Sequence, residues 1–242
     1  MFKNILLSFL LFSVSGILVG QTHNDTLNQT DDKGRKQGSW IKYNENGMLK
    51  YKGQFVDDVP KGAFVYYFPD GIVQARSVFS ENGRFAETTI YHHNGKVMSK
   101  GFYKDKVKDS LWEYYDKDNI LLKEEFYRDK KNNGAWKVYY KNGSVAEEVQ
   151  WKQGKRDGPW RQYFENGKVK VKGNFENDEK EGEVVYYFEN GRMRITGQYQ
   201  NSLRIGQWIY INEKGDVTKK EIYKEGKLVE SMDYSKEKDG GK

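Results

Sequence analysis

Hydrophobic and polar positions along the chain repeat with a period of 24 residues. Each unit opens with a small residue, continues through a bulky residue and a tyrosine, passes a turn dipeptide and ends on an aromatic residue. A fixed period of this kind is the signature of a repeat architecture, in which each unit packs on its neighbours. The opening position recurs eight times without insertion, at Gly38, Gly62, Ala86, Ser110, Gly134, Gly158, Gly182 and Gly206, and these residues begin copies one to eight.

Three further positions define the unit. Two residues after the opening lie Trp40, Phe64, Thr88, Trp112, Trp136, Trp160, Val184 and Trp208. Five residues after it lie Tyr43, Tyr67, Tyr91, Tyr115, Tyr139, Tyr163, Tyr187 and Ile211. Seventeen residues after it lie Phe55, Phe79, Tyr103, Tyr127, Trp151, Phe175, Tyr199 and Tyr223.

The turn dipeptides predict one β-hairpin per copy. Asn-Gly and Asp-Gly tolerate positive φ at two successive residues, so a two-residue turn is expected at each. The strongest examples are Asn46-Gly47, Asp70-Gly71, Asn94-Gly95, Asn142-Gly143, Asn166-Gly167 and Asn190-Gly191, with Asp118-Asn119 and Lys214-Gly215 as weaker versions. The flanking runs are β-branched and aromatic, which is typical of strands.

Alternation with a period of two assigns faces to the second strand of each hairpin. An aliphatic position, six residues before the final aromatic, is expected on the same face as that aromatic: Leu49, Val73, Val97, Leu121, Val145, Val169, Met193 and Val217. Small residues between them should leave room for a neighbouring ring: Gly53, Ser77, Gly101, Gly173 and Gly197. The other face is charged and is expected to be solvated: Lys50, Lys52, Arg76, Lys100, Glu124, Glu148, Lys170, Lys172, Arg194 and Lys220.

The first strand leaves one question open. Its bulky residue and its tyrosine are three positions apart, so a regular strand points them to opposite faces. Either a bulge re-aims one of them, or both faces of the sheet are partly apolar.

The motif Gly-x-Trp-x-x-Tyr-x-x-Asn-Gly, followed by a later aromatic, resembles the MORN repeat in its bacterial, YwqK-type variant form. The resemblance covers Gly38 to about Glu230. It implies an all-β fold, a single elongated, twisted antiparallel sheet of about eight successive hairpins, and it implies no chemistry. Relatives are mostly interaction scaffolds, and many bacterial ones resemble antitoxins. The departures are Ala86, Thr88, Ser110, Asn119, Val184 and Ile211, where we expect weaker hairpins.

The ends of the chain are of a different kind. Residues 1–20 combine Lys3 with an uncharged apolar stretch and predict a secretory signal peptide that is cleaved near Gly20, although an uncleaved anchor is the alternative. Residues 21–37 are polar and predict a flexible lead-in. Residues 38–230 hold the repeats, and residues 231–242 predict a disordered charged tail. The chain contains no cysteine, so an exported form relies on packing and ladder hydrogen bonds.

No catalytic or metal-binding motif is present, so we expect a protein that is not an enzyme and has no cofactor. His92 and His93 precede a turn, and the only other histidine is His23, which favours a polar pair over a metal site. Asp57-Asp58 and Glu124-Glu125 could suggest acid–base work, but neighbours on a strand point to opposite faces.

Partner expectations come from charge and from the aromatic residues. The formal net charge is +6, yet nucleic acid is a poor partner for an exported chain, and membrane contact is possible but not predicted. The candidate binding surface is Trp112, Tyr115, Trp136, Tyr139, Trp160, Tyr163 and Trp208, although the same rings could form the core. We therefore expect an exported, periplasmic or extracellular scaffold that binds a protein or a glycan or other cell-envelope polymer. The alternative is an antitoxin-like protein that neutralises a toxin by surface contact.

Overall fold

A computed structural model describes residues 26–235, which form one 19-stranded antiparallel sheet. The strands are β1 (Gln29–Thr30), β2 (Lys36–Tyr43), β3 (Leu49–Val56), β4 (Val59–Tyr67), β5 (Val73–Ser80), β6 (Phe85–Tyr91), β7 (Val97–Lys104), β8 (Val107–Tyr115), β9 (Leu121–Arg128), β10 (Lys131–Asn132), β11 (Gly134–Tyr139), β12 (Val145–Lys152), β13 (Lys155–Tyr163), β14 (Val169–Glu176), β15 (Glu179–Tyr187), β16 (Met193–Gln200), β17 (Leu203–Ile211), β18 (Val217–Lys224) and β19 (Lys227–Asp233).

The sheet is an open meander, so the predicted all-β fold of successive hairpins is confirmed. Each strand pairs with the strand before it and the strand after it in the chain. One irregularity lies in copy five, where β9 pairs with both β10 and β11. Asn133 separates these two short strands, and its N–H donates to the Phe126 carbonyl. The predicted signal peptide lies outside the described residues.

The two ends of the repeat array are more ordered than the sequence predicts. Within the predicted flexible lead-in, β1 pairs with β2, and the Asn28 side chain accepts a hydrogen bond from the N–H of Ile41. Residues 231–233 of the predicted disordered tail belong to β19, which pairs with β18. Both corrections have one cause: an edge strand gains ladder hydrogen bonds that composition does not reveal.

The Asn-Gly turns are three-residue loops, so the prediction of two-residue turns at these dipeptides is wrong. In copy one the N–H of Asn44 donates to the Met48 carbonyl and the N–H of Gly47 to the Asn44 carbonyl. Gly47 alone has a positive φ, of 74°, whereas Asn46 does not. This is the hairpin loop in which a type I turn is followed by one left-handed residue. The same hydrogen-bond pair recurs in all eight copies.

Two-residue turns instead connect one copy to the next. Val56 pairs with Val59, and Asp57 and Asp58 between them have φ values of 53° and 66°. Positive φ at both central residues defines the type I′ turn, whose twist matches that of the strands. Only in copy three is this link longer: residues 81–84 separate Ser80 from Phe85.

A bulge in every hairpin decides which residues share a face. Lys42 pairs with Tyr51 and Tyr43 with Leu49, so Lys50 is the extra residue, and the same shift recurs in all eight hairpins. Directly opposed residues share a face. The prediction that the aliphatic series of Leu49 shares a face with the final aromatics is therefore wrong, because the bulge turns it to the tyrosine face.

The first strand of each hairpin is regular between its bulky residue and its tyrosine, so these two side chains point to opposite faces. We call the face of Trp112 the aromatic face and the face of Tyr115 the polar face. The core lies on the aromatic face: Trp112 and Trp208 are 0% exposed and Trp160 is 7% exposed. Both faces of the sheet carry apolar residues, which answers the question that the sequence left open.

Glycines in the second strands lie beneath these rings, as predicted. A Cβ atom at Gly101 would lie 2.5 Å from the Trp112 ring, and one at Gly197 would lie 2.3 Å from the Trp208 ring. No real Cβ contact is that short, so only glycine fits. Gly173 has more room, since its nearest neighbour would be Trp160 at 3.4 Å.

Candidate binding site

The structure separates the seven residues of the candidate binding surface. Trp112, Trp160 and Trp208 are buried on the aromatic face, and Trp136 is half-buried there. Tyr115, Tyr139 and Tyr163 are half-buried on the polar face. The tryptophans therefore form core and the tyrosines line the other side of the sheet, so no single surface unites them.

The tyrosines of the polar face are held by a row of charged residues. Lys100 pairs with Glu113 at 2.9 Å, and the Tyr115 hydroxyl donates to Glu113 at 3.0 Å. The next hydroxyl along, of Tyr139, donates to Glu124 at 2.8 Å. Cross-strand register continues this row with Lys137, Glu148, Arg161 and Lys172. The hydroxyls of Tyr115 and Tyr139 are therefore occupied by glutamates of the same face.

The aromatic face has an open groove where copy three meets copy two, with a volume of about 620 Å³. Its floor is made of small side chains on β5 and β6, among them Ser77, Ala86 and Thr88, which are 4–5% exposed. Rings from β3, β4 and β5 line one side, and a ring from β7 lines the other: Tyr51, Phe55, Phe64, Tyr66, Phe79 and Tyr103.

The groove exists because copy three departs from the repeat. Thr88 occupies the position where copies one, four, five, six and eight have tryptophan. Its hydroxyl lies 2.8 Å from that of Ser77, so both buried hydroxyls are satisfied without a ring above them. Ala86, unlike the other seven opening residues, lacks a positive φ. The loop that leads into copy three has four residues, 81–84, where the other links have two.

Arg84 and Lys106 lie at the rim of the groove. The Arg84 guanidinium binds Asp105 through two hydrogen bonds, Nε to Oδ1 at 3.1 Å and Nη2 to Oδ2 at 3.2 Å. The hydrogen bonds between the two side chains are the main cause of their pKa shifts: they raise the pKa of Arg84 and lower the pKa of Asp105. Arg84 is thereby directed along the rim and does not cover the rings.

Two buried carboxylates lie at equivalent positions of two copies, one on β9 and one on β18. Glu125 is 4% exposed and accepts hydrogen bonds from Lys123 at 2.6 Å and from the Tyr127 hydroxyl at 2.7 Å. Glu221 has the equivalent partners Lys219 and Tyr223. Burial would raise the pKa of each carboxyl, but these hydrogen bonds outweigh it and lower the pKa.

The remaining candidate groups have structural partners. His92 Nε2 lies 3.0 Å from the Tyr115 carbonyl oxygen, and His93 Nε2 lies 2.7 Å from Asp70. Asp57 and Asp58 form a two-residue turn, and Asp58 accepts a hydrogen bond from the N–H of Lys36. Within residues 26–235, no group of three or more histidine or acidic side chains is placed to hold a metal ion.

Glu124 and Glu125 lie on opposite faces, as strand alternation predicts. Across the described part of the chain, no helix has the length and apolar character needed to cross a membrane.

The sequence carries a signal for the groove at Ala86 and Thr88, beyond the weaker hairpin that these residues predict. A missing ring at a position where six copies have tryptophan or phenylalanine also predicts a gap in a single-layer core, because the neighbouring rings have nothing to pack against.

The fold and the groove define a repeat scaffold, an elongated sheet of hairpins with an open groove at copy three. A family model described as the MORN repeat variant matches residues 36–57, 86–105, 132–153, 156–177 and 180–201. These segments fall in copies one, three, five, six and seven. The chain is a MORN-repeat protein.

No curated protein matches the sequence. Among solved structures, a mutant of TarM from S. aureus, in complex with fondaparinux, alpha-GlcNAc-glycerol and UDP, has 16% identity and a TM-score of 0.31 over 42% of this chain and 19% of that chain. A porin-like protein from Bacteroides uniformis has 9% identity and a TM-score of 0.21 over 79% and 86% of the two chains.

The chain spans about a fifth of the TarM length. TM-scores this low carry no argument about function.

Proposed function

We propose that this protein is an exported, non-enzymatic scaffold that binds a protein partner through the groove of copy three. The observation that carries the proposal is the groove itself: six aromatic rings border a space of about 620 Å³ at a position where five other copies have a tryptophan. Concave aromatic surfaces with a few polar groups are typical of binding sites. On the polar face, by contrast, the hydroxyls of Tyr115 and Tyr139 are bound to Glu113 and Glu124.

Photo-crosslinking in the native host tests the site. A diazirine-bearing aliphatic amino acid at Ile90, which lines the groove, should form a discrete adduct with one protein. The matched control is the same amino acid at Ile209, which lies on the polar face opposite Thr196. Adducts from Ile209 alone would contradict the proposal, and an adduct with a polymer instead of a protein would change the class of partner.

A groove-filling variant provides the second arm. Ser77→Gly/Thr88→Trp reproduces the glycine–tryptophan pair that Gly101 and Trp112 form in the next copy. The ring should occupy the groove and abolish the Ile90 adduct, whereas Ser77→Gly alone should keep it. Persistence of the adduct in the double variant would show that the partner binds elsewhere.

Export is tested separately by the intact mass of the protein in fractionated cells. The apolar stretch after Lys3 supports the proposal of a cleaved leader. A mature chain that begins near Gln21 in the periplasmic or extracellular fraction is expected. A chain that retains Met1 in the cytosol would refute export and leave the binding proposal to the crosslinking result.

A further inference from the structure

A cation recurs on the aromatic face two residues before the opening position of most copies. Lys36 Nζ lies 5.1 Å from the Trp40 ring centre, Lys108 Nζ lies 4.6 Å from that of Trp112, and the Arg204 guanidinium lies 4.2 Å from that of Trp208. Arg156 lies over the Phe175 ring at 4.2 Å, and Lys180 lies over the Trp160 ring of the preceding copy at 5.0 Å. The aromatic face therefore carries its own cations, held over ring faces by cation–π attraction.

This series of cations is interrupted at the groove. The equivalent residue of copy two is Pro60, which has no charge, and that of copy three is Arg84, which binds Asp105 at the rim. Of the six rings that border the groove, Phe55 has a cation over it, Lys36 Nζ at 4.7 Å from the ring centre. Within the described residues no cation lies over Phe64, Phe79 or Tyr103, whereas their counterparts Trp160, Phe175 and Tyr199 each have one.

Copy seven shows what the same space holds when it is occupied. Residues 96 positions apart correspond: Phe64 with Trp160, Tyr103 with Tyr199, and Thr88 with Val184. Like copy three, copy seven lacks the tryptophan. Its space is closed by the chain's own Lys180, whose Nζ lies 5.0 Å from the Trp160 ring centre and 5.2 Å from that of Tyr199, and no room for a water molecule remains.

One difference between the two copies is a carboxylate. Arg84 corresponds to Lys180, and Asp105 corresponds to Asn201. Asp105 holds Arg84 outward, whereas Asn201 has no charge to attract Lys180, which lies between the rings.

We propose that the groove of copy three takes the ammonium group of a lysine side chain from the protein partner, in the place that Lys180 fills in copy seven. This rests on the proposed binding function and adds the chemistry of the contact. The apolar stem of the lysine lies along Ile90 and Phe79, and its ammonium group reaches the faces of Phe64 and Tyr103. The ring quadrupoles supply the attraction.

Titration of the purified protein with small peptides tests the chemistry. The probes are acetyl-Gly-Lys-Gly-amide and its norleucine counterpart, which has the same stem without the charge. The methyl resonances of Thr88 and Ile90 report binding. The lysine peptide should bind on the order of tenfold more tightly than the norleucine peptide. Equal affinities would overturn the lysine proposal, and the groove crosslink would still stand. Choline binding without lysine binding would overturn it in favour of a lipid headgroup.

Asp105 provides an internal control. Asp105→Asn should release Arg84 to cover the rings as Lys180 does, and it should weaken the lysine peptide about tenfold. Arg84→Met/Asp105→Asn should restore binding, because no internal cation remains. Unchanged affinity in Asp105→Asn would contradict the proposal. Loss that the double variant fails to restore would mean that the carboxylate, and not the rings, binds the ammonium group.

Discussion

Copies three and four and copies seven and eight follow one plan at a distance of 96 residues, yet only copy three borders an open groove. In both, a fully buried tryptophan, Trp112 or Trp208, lies above a glycine. In both, the second copy of the pair also holds a buried glutamate, Glu125 or Glu221. In both, the first copy of the pair lacks the tryptophan. The pairs differ in how that absence is filled, by Lys180 in copy seven and by nothing from the chain in copy three.

This difference shows how a repeat protein can acquire a site without a new element. Stability in such arrays is the sum of each unit and its contacts with its neighbours, so one unit can lose a ring while the others keep the sheet intact. The hydroxyl pair of Ser77 and Thr88 and the longer loop at residues 81–84 adapt copy three to the loss. A site then arises where a repeated side chain is missing.

The largest effect is expected at the glycines beneath the shared tryptophans. Gly101→Ala and Gly197→Ala force a Cβ into an indole ring and should each lower the free energy of unfolding by about 3 kcal/mol. Gly173→Ala is the matched control in copy six, where Val184 replaces the overlying tryptophan, and it should change stability by less than about 1 kcal/mol. Urea unfolding measures all three. A similar cost at Gly173 would mean that the ring above is not the cause.

A pH-dependent effect should mark the two buried carboxylates. Their pKa values in the folded protein are lowered, so each stabilises the fold fully above the unfolded value of about 4.5 and loses that contribution as the pH falls through the folded pKa. Glu125→Gln and Glu221→Gln should each cost about 2 kcal/mol at pH 7, and clearly less at pH 3. Denaturant unfolding at the two pH values checks this.

The exposed Glu179 serves as the control for the buried pair. Glu179→Gln should show a small cost at both pH values. A penalty in Glu125→Gln that stayed constant with pH would assign the loss to packing and not to charge.

Substitutions in the hydroxyl pair of the groove floor, Ser77 and Thr88, should have a smaller effect on stability. Copy seven has no such pair, because Gly173 and Val184 occupy the equivalent positions. Thr88→Val leaves the buried Ser77 hydroxyl without its partner and should cost about 1–2 kcal/mol. Ser77→Ala/Thr88→Val removes both polar groups and should recover most of that loss. A double-mutant cycle from urea unfolding measures the coupling. Additive costs would mean that the two hydroxyls do not depend on each other.

The period of 24 residues was enough to predict the sheet, the eight hairpins and the buried rings, because each copy repeats the same local signals. The sequence misled us where geometry depends on the partner strand. The bulge at Lys50 reversed the face of Leu49, and no pattern within one strand reveals it. The groove also depends on the direction of the Arg84 side chain. That direction is fixed by a hydrogen bond to Asp105, which lies in the next link, 21 residues away in the sequence.

The smallest predicted effect concerns the opening residues, which are Gly182 and Gly206 in copies seven and eight but Ala86 and Ser110 in copies three and four. Ser110 holds a φ of 58°, which glycine adopts more easily, so Ser110→Gly should stabilise the fold by about 0.5–1 kcal/mol. Ala86 has no positive φ, so Ala86→Gly should destabilise it by a similar amount. Thermal unfolding of the two variants should therefore shift the midpoint in opposite directions. Shifts of the same sign would mean that copy three bends its backbone as the other copies do, and that the longer loop at residues 81–84 does not explain the open groove.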